Sequence, residues 1–321
     1  MDYVLAPLAG FTNAAFRRLC HSYGAAYTYT EMVSAAGLAH GSSPTRHLME
    51  LLPGEGPVVC QIFGSKPDEL AFAAREATAC GRFVGLDLNA GCPMPKIRAE
   101  GAGAALLKNP QHVYDCLVAL RQNTHLPVSL KTRPGPRPDQ ILMAELLAAA
   151  QDAGCSRFTL HARFTSQMHG GPVHLDLLAD LVRLARIPIT GNGSVTDAAS
   201  ARAMAQTGVS AIMIGRAALA EPWLFSDLRT PPQENVPTDR GLRQKNAFTA
   251  HMTALEELHA QLVTRFPNDH IPSRDTFLLT AVRTHLFRYF NGRPGAAEFR
   301  RQLNTARTYD AVRALVATLF S

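Results

Sequence analysis

A chain of 321 residues with 46% hydrophobic residues and a formal net charge of +6 is long enough for one large domain and a smaller one. It contains no uncharged apolar run of 18 residues, so we expect no membrane span. It also contains no basic segment followed by a long apolar run at its start, so we expect no secretory signal. Its six cysteines are scattered and form no C-x-x-C pair, which favours free thiols in the cytoplasm over disulfides or a zinc site.

The first 225 residues alternate short apolar runs, typical of buried strands, with amphipathic helical stretches. The predicted strands are 4–7, 27–31, 58–63, 84–89, 128–131, 157–161, 188–192 and 211–215. The predicted helices include 13–22, 68–80, 112–122, 140–153, 175–185 and 197–207, the last capped by Thr196. Eight successive βα units favour an α/β fold, a (β/α)₈ TIM barrel. An open doubly wound sheet is the alternative, although it seldom needs eight such units.

Seven of the eight predicted strands end on a polar or charged residue, which is costly to bury without a partner. In chain order the end residues are Pro7, Glu31, Gln61, Asn89 with Cys92, Lys131 with Arg133, His161 with Arg163, Asn192 with Gly193, and Gly215 with Arg216. Any one of them alone is compatible with a loop or a cap. Because the strand ends of a barrel meet at one mouth, their regular placement predicts a functional site there.

The composition changes after residue 225. A polar, proline-rich stretch predicts a linker at 229–240, between a barrel domain at 1–228 and an all-helical domain at 241–321. The predicted helices of the second domain are 241–266, 271–291 and 296–320. Residues 226–321 carry 13 Lys or Arg against 9 Asp or Glu, a net charge of +4. This excess suits a polyanion such as RNA, although an ordinary solvated surface has the same character.

Cys92 lies just past a predicted strand end, between an Asn-Ala-Gly break and Pro93. A thiol at such a position can serve as a nucleophile, a proton donor or a redox group. The alternative is a buried structural cysteine, since free cysteines are often buried. The small-residue run 101–107 follows, where we expect the backbone to approach a ligand closely.

The ends of the seventh and eighth strands predict a phosphate site. Residues 190–194 and 214–217 supply glycine N–H groups and Arg216, and barrel phosphates commonly bind at these two loops. Lys131 is a candidate for the electron-rich N1/O2 edge of a flavin, and Gln61 for a hydrogen bond to the same ring. His161 is a candidate ligand, acid or phosphate contact. No two histidines have a metal-binding spacing beside a carboxylate, so we expect no metal.

Several segments together resemble the tRNA-dihydrouridine synthases, most closely the bacterial B-type branch. They are APLAGFTN (6–13), TEM (30–32), QIFG (61–64), DLNAGCP (87–93), Lys96, 101–107, KTR (131–133), HAR (161–163), GNG (191–193), IGRA (214–217) and PWLF (222–225). The resemblance covers nearly all of the predicted barrel.

The resemblance implies an FMN-binding barrel joined to a helical RNA-binding domain, a monomer that reduces uridine in tRNA with NADPH. It implies that FMN contacts Pro7, Leu8, Ala9, Gln61, Lys131, His161, Asn192, Gly193, Ser194, Gly215 and Arg216. It also implies that Asn89 and Arg133 hold the uracil, that the N5 atom of FMN gives a hydride to C6, and that Cys92 gives a proton to C5.

The chain departs from the family pattern at Ala162 and Phe164, along 165–174, at Ser194, and at Thr284 in the helical domain. Three other functions are weighed beside the one that the resemblance implies. The same reaction on another RNA such as rRNA is one alternative. A small-molecule FMN enzyme of the dihydroorotate or dihydropyrimidine dehydrogenase kind is another, and a non-catalytic RNA-binding protein is the third.

Overall fold

The computed structural model describes residues 1–230, 239–289 and 296–319. Within them, parallel strands form one sheet in the order β1-β9-β8-β7-β6-β5-β4-β2, and β3 pairs with the end of β4. The strands are β1 (Asp2–Leu5), β2 (Thr28–Tyr29), β3 (Val33–Ser34), β4 (Val58–Phe63), β5 (Gly85–Ala90), β6 (Val128–Thr132), β7 (Arg157–His161), β8 (Ile189–Asn192) and β9 (Ala211–Ile214).

The two edges of this sheet meet through backbone hydrogen bonds. The Leu5 N–H donates to the Tyr27 carbonyl at 3.2 Å, and the Ala26 N–H donates to the Tyr3 carbonyl at 2.9 Å. The sheet therefore closes on itself, with β3 as a short continuation after β2. This closure confirms the predicted (β/α)₈ barrel and excludes the open sheet, which would keep two unpaired edges.

The barrel helices lie between successive strands, where their apolar faces cover the sheet. They are α1 (Ala14–Ser22), α2 (Ala35–Ala39), α3 (Ser43–His47), α4 (Pro67–Ala79), α5 (Pro95–Ala99), α6 (Pro110–Gln122), α7 (Met143–Asp152), α8 (Leu175–Leu184), α9 (Ala198–Ala205), α10 (Arg216–Ala220) and α11 (Leu224–Arg229). Short 3-10 helices span Gly103–Lys108 and Thr165–Gln167. None of the helices in the described residues has the length and apolarity needed to cross a membrane.

Three details of the predicted barrel elements are wrong. The strand predicted at 27–31 contains only Thr28–Tyr29. The helix predicted at 140–153 begins at Met143, because Gln140 pairs with Arg137 across a turn. Asp197 rather than Thr196 caps α9, since its carboxylate accepts a hydrogen bond from the Ser200 N–H at 2.8 Å.

The C-terminal region is helical in the parts that the structure describes. Its helices are α12 (Arg240–Arg265), α13 (Arg274–Tyr289), α14 (Ala296–Thr305) and α15 (Tyr309–Leu319). The single helix predicted at 296–320 is wrong, because Thr308 interrupts it and its hydroxyl accepts from the Ala311 N–H at 3.3 Å, as a helix cap does. Most of the predicted linker, residues 231–238, lies outside the described residues.

The helical region packs against the barrel through α12 and α1. The ring of Phe16 on α1 lies 5.4 Å from that of His251 and 4.9 Å from that of His285. The two histidine rings are 4.4 Å apart, and neither is exposed by more than 2%. Leu255 of α12 belongs to the same continuous hydrophobic core as the barrel. The proposed division into two domains stays a prediction, but apolar contacts cross the boundary.

A buried carboxylate also ties the helical region to the barrel. Glu50, only 4% exposed, accepts hydrogen bonds at 2.7 Å from Gln261 Nε2 and from Arg265 Nη1 of α12. Arg82, from the barrel, lies 3.4 Å from the same carboxylate. Because Glu50 is buried and satisfied by partners on both sides, it fixes the position of α12 relative to the barrel.

The buried histidine pair predicts an acid-sensitive contact. Burial lowers the pKa of His285 to about 3 and lowers the pKa of His251 well below 6.5, so both rings are neutral in the folded protein. The unfolded chain binds a proton on each ring below about pH 6.5, so stability is full above that pH and decreases as the pH falls. We expect the free energy of unfolding, measured in urea, to decrease between pH 6.5 and 5 by up to about 2 kcal/mol per histidine.

The exposed His270 provides the control for this prediction. His270→Gln should keep the wild-type pH dependence, whereas His251→Gln should remove the contribution of one histidine and make the decrease in stability smaller. The same slope in the wild type and in His251→Gln would contradict the assignment to this pair.

Candidate active site

A cavity of about 720 Å³ opens at the carboxyl ends of the barrel strands, within the usual size range of small-molecule sites. Of the fourteen predicted site residues, thirteen line it: Pro7, Leu8, Ala9, Asn89, Cys92, Lys131, Arg133, His161, Asn192, Gly193, Ser194, Gly215 and Arg216. The fourteenth, Gln61, is fully buried and lies between Asp87 and Asn89. In this structure Gln61 is linked to the cavity through Asn89.

Other lining side chains were missed by the argument from strand ends. Phe11 and Met32 line the cavity and lie inside the segments 6–13 and 30–32, so the sequence contained a signal for them. Arg288 comes from α13, and its guanidinium lies 5.7 Å from the centroid of the Phe11 ring. No strand-end pattern predicts a residue that the helical region contributes.

The cavity wall is cationic. It includes Lys131, Arg133, Arg216 and Arg288, and none of its described lining residues is Asp or Glu. Burial, with the neighbouring Lys131 and Arg133, lowers the pKa of His161 well below 6.5. Burial and Arg133 also lower the pKa of Lys131 to about 8, against the opposing effect of Asp87. A concave surface with this charge favours an anionic ligand.

Three arginines beside the cavity donate to backbone carbonyls of the unusual loop 162–174. The pairs are Arg133 with Phe164 and Met168 at 3.0 and 2.8 Å, Arg163 with Gly171 at 3.0 Å, and Arg216 with His169 at 3.0 Å. Met168 has a φ of +52°, which is unfavourable for a residue with a side chain. The arginines thus hold a strained loop against the cavity, and His169 becomes part of its wall.

The turn that carries Cys92 is held from two sides. The Asn89 side-chain oxygen accepts from the N–H groups of Gly91 and Cys92 at 3.1 and 3.0 Å. The Ala104 N–H donates to the Cys92 carbonyl at 2.9 Å, and a Cβ on Gly103 would lie 2.9 Å from that carbonyl. The small-residue run therefore approaches the Cys92 turn, where we expected it to approach a ligand.

The Cys92 thiol is half-buried, and burial raises its pKa above the ordinary 9.0. The Met94 N–H and the charges of Arg133 and Lys131 act in the opposite direction. The thiol is therefore protonated at neutral pH, with cations close enough to stabilise the thiolate that remains after a proton transfer.

The predicted flavin-binding side of the cavity has polar groups that the protein leaves partly or wholly unpaired. Lys131 Nζ donates to Asn192 Oδ1 at 3.1 Å, which uses one of its three N–H groups. Gly193 has a φ of +147°, and a Cβ there would lie 3.1 Å from Val173. His161 Nδ1 and Arg163 Nη1 are buried without a protein partner in the described residues. Buried polar atoms are normally satisfied, so these two favour a polar ligand, and the donor set fits a flavin phosphate and ring.

Within the described ranges, no group of three or more His, Cys, Asp or Glu side chains is arranged to hold a metal ion.

The family model for dihydrouridine synthase (Dus) matches residues 4–320. The chain belongs to the dihydrouridine synthase family. This membership confirms the resemblance that the segments around Cys92 and the strand ends indicated.

Dihydrouridine synthases of several bacteria are similar over most of the chain. The probable tRNA-dihydrouridine synthase of Treponema pallidum is 35% identical over 250 residues, 75% of this chain and 74% of that protein. The tRNA-dihydrouridine synthase B of Escherichia coli is 36% identical over 259 residues, 80% of each chain. That of Xanthomonas axonopodis pv. citri is 31% identical over 320 residues, 99% of this chain and 92% of that protein, so the similarity extends into the helical region.

Proposed function

We propose that this dihydrouridine synthase reduces specific uridines of tRNA to 5,6-dihydrouridine, as an FMN-dependent oxidoreductase with NADPH as the reductant. The observation that carries the proposal is the Cys92 thiol on the wall of a cationic cavity, with no Asp or Glu among the lining residues that the structure describes. The names of the similar bacterial proteins support tRNA as the substrate.

FMN, when bound, supplies a hydride to C6 of uracil. The phosphate would be held by Gly193, Ser194, Gly215 and Arg216, and the ring by Lys131, His161 and Asn192, with Pro7, Leu8 and Ala9 along its side. Gln61 would support the ring through Asn89, which donates to its side-chain oxygen, because Gln61 itself is buried behind that residue.

Cys92 completes the reduction. The C5–C6 double bond of uracil is conjugated to the C4 carbonyl, so addition of hydride at C6 leaves negative charge that extends to C5. The thiol gives its proton to C5, as a general acid does, and its sulfur keeps the electron pair of the S–H bond. Lys131 and Arg133 then favour the thiolate, since their charges lower its pKa. NADPH is oxidised to NADP⁺ in the complete cycle.

Asn89 and Arg133 are the proposed contacts of the uracil, and both are already engaged. Asn89 Nδ2 donates to Gln61 Oε1 at 2.9 Å and to the sulfur of Met32 at 3.1 Å. A thioether is a weak acceptor, so a uracil carbonyl can replace it. Arg133 donates to carbonyls once from Nε, twice from Nη1 and once from Nη2, which leaves one N–H of Nη2 for the base.

The RNA would reach the cavity with the target base turned out of its stack. Arg288 supports contact between the helical region and the RNA, because it belongs to α13 and also lines the mouth. Its guanidinium is exposed and suits a phosphate near the flipped nucleotide.

The test uses the purified full chain. We expect a flavin absorbance that NADPH bleaches without oxygen, followed by dihydrouridine in unmodified tRNA, detected by mass spectrometry of its nucleosides. Reduction of free pyrimidines alone would favour the small-molecule enzyme, and reduction of rRNA alone would change the substrate. Tight tRNA binding without flavin or turnover would favour the RNA-binding protein.

Arg216→Ala should weaken FMN binding. The variant would lose the charge-assisted hydrogen bond between Arg216 and the FMN phosphate, and the loss of such a bond weakens binding ~10–100-fold. Flavin fluorescence, titrated into protein stripped of cofactor, measures the change. Arg137→Ala is the control, because Arg137 is an exposed arginine paired with Asp139 and does not line the cavity. Equal FMN affinity in the two variants would remove Arg216 from the phosphate site.

A further inference from the structure

We propose that Asp87 is a positioning residue, whose carboxylate orients Gln61 and Asn89 and thereby fixes the turn that carries Cys92. The inference rests on the proposed function, because it concerns the thiol that gives the proton. Asp87 does not line the cavity, so it acts through its neighbours rather than on the substrate.

The barrel places these residues in two successive layers. Gln61 on β4 is in register with Asp87 on β5, and Asp87 is in register with Ser129 on β6. Gln61 and Asp87 are fully buried, and Ser129 is 6% exposed. Because side chains alternate along a strand, Asn89 points to the same side as Asp87 and lies one layer closer to the mouth.

The hydrogen bonds in these layers have a fixed direction. An ionised carboxylate only accepts, and Asp87 accepts from the Ser129 hydroxyl at 2.5 Å and from Gln61 Nε2 at 2.8 Å. The oxygen of the Gln61 amide must then face Asn89, whose Nδ2 donates to it at 2.9 Å. A reversed Gln61 would place its oxygen against the carboxylate and its NH₂ group against that of Asn89.

Asn89 connects these hydrogen bonds to the turn that carries Cys92. With Nδ2 committed to Gln61, the side-chain oxygen of Asn89 faces the N–H groups of Gly91 and Cys92 and accepts both. The three side chains thus form one chain of donors and acceptors from the barrel interior to the thiol. Burial raises the pKa of Asp87 to about 7, against the lowering effects of its hydrogen bonds from Ser129 and Gln61 and of the charge of Lys131, so the carboxylate is ionised and the direction of the chain is fixed above that pH.

The test measures the reactivity of Cys92 directly, without RNA or turnover. Iodoacetamide alkylation of Cys92 is followed by peptide mass spectrometry, with the half-exposed Cys80 as an internal standard. Asp87→Ala should loosen the turn and speed alkylation of Cys92 about fivefold, the factor for one net hydrogen bond. Asp87→Asn should stay within about twofold of wild type, because its side-chain oxygen still accepts from Gln61.

Ser129→Ala is the matched control, since it also removes a hydrogen bond to Asp87 but leaves the chain to Cys92 intact. Equal alkylation in Ser129→Ala and Asp87→Ala, or a wild-type rate in folded Asp87→Ala, would overturn the inference. Gln61→Leu breaks the same chain if Asp87→Ala does not fold, and a wild-type rate there would overturn it too. A wild-type protein that forms no dihydrouridine refutes the proposed function instead, because the alkylation result does not depend on turnover.

Discussion

Cys92→Ala should lose most dihydrouridine formation while its flavin is still reduced by NADPH. The variant keeps the cavity and its cations but lacks the proposed proton donor to C5. General acid catalysis typically contributes about 10²–10⁴ in rate, so slow protonation by water should remain. Anaerobic single-turnover mixing of reduced enzyme with unmodified tRNA, with nucleoside analysis of the product, measures the loss.

Cys80→Ala is the matched control, because Cys80 is also half-exposed but follows the C-terminal end of α4, away from the cavity. It should react at the wild-type rate. If Cys92→Ala does so as well, the thiol is a packing residue and the proton comes from another group in the mouth.

The pH dependence of the single-turnover rate provides a second check on the same thiol. Burial raises the pKa of Cys92 above 9.0, so the proton donor is present at neutral pH and is lost only as the pH rises past that value. We expect a flat rate through pH 8 and a decrease above pH 9. A decrease centred near pH 8 would assign the titration to another group, such as Lys131, whose pKa is about 8.

The position of the site could be predicted from sequence because strand ends are a local signal. An apolar run followed by a polar residue marks seven of the eight ends, and barrel closure brings Lys131, His161 and Asn192 together without further information. The partners of these side chains are not local. Nothing in the sequence around Asn89 indicates that Gln61 and Met32 occupy its amide, because those contacts depend on register between strands.

The loop 162–174 shows the same limit. The sequence marks it as unusual through Phe164 and the residues that follow, but the pattern does not predict its path. Its path depends on carbonyl contacts to Arg133, Arg163 and Arg216, which come from three different strand ends. Likewise, the run 101–107 predicts a close approach to a ligand, and the structure shows the absent side chain of Gly103 allowing close packing against the Cys92 carbonyl.

Removal of all residues after Arg229 should leave a barrel that does not fold stably. The composition change near residue 229 predicted a separable helical domain, but α12 covers α1 with buried Phe248, Met252 and Leu255. Each large apolar side chain that loses its cover costs about 1.5–3 kcal/mol, against a total stability of about 5–15 kcal/mol. Truncation would also leave Glu50 without its two partners on α12.

Circular dichroism and urea unfolding of the truncated chain, beside the full chain, measure this loss.

Arg288→Ala in the full chain is the companion variant, because Arg288 is exposed and its removal tests the RNA contact without uncovering α1. We expect Arg288→Ala to fold normally and to bind tRNA with a smaller salt dependence, since one phosphate contact is gone. A truncated barrel that unfolds cooperatively at the same urea concentration as the full chain would contradict this prediction. The barrel would then be independent of the helical region, as the composition predicted, and the apolar contacts to α1 would add nothing to its stability.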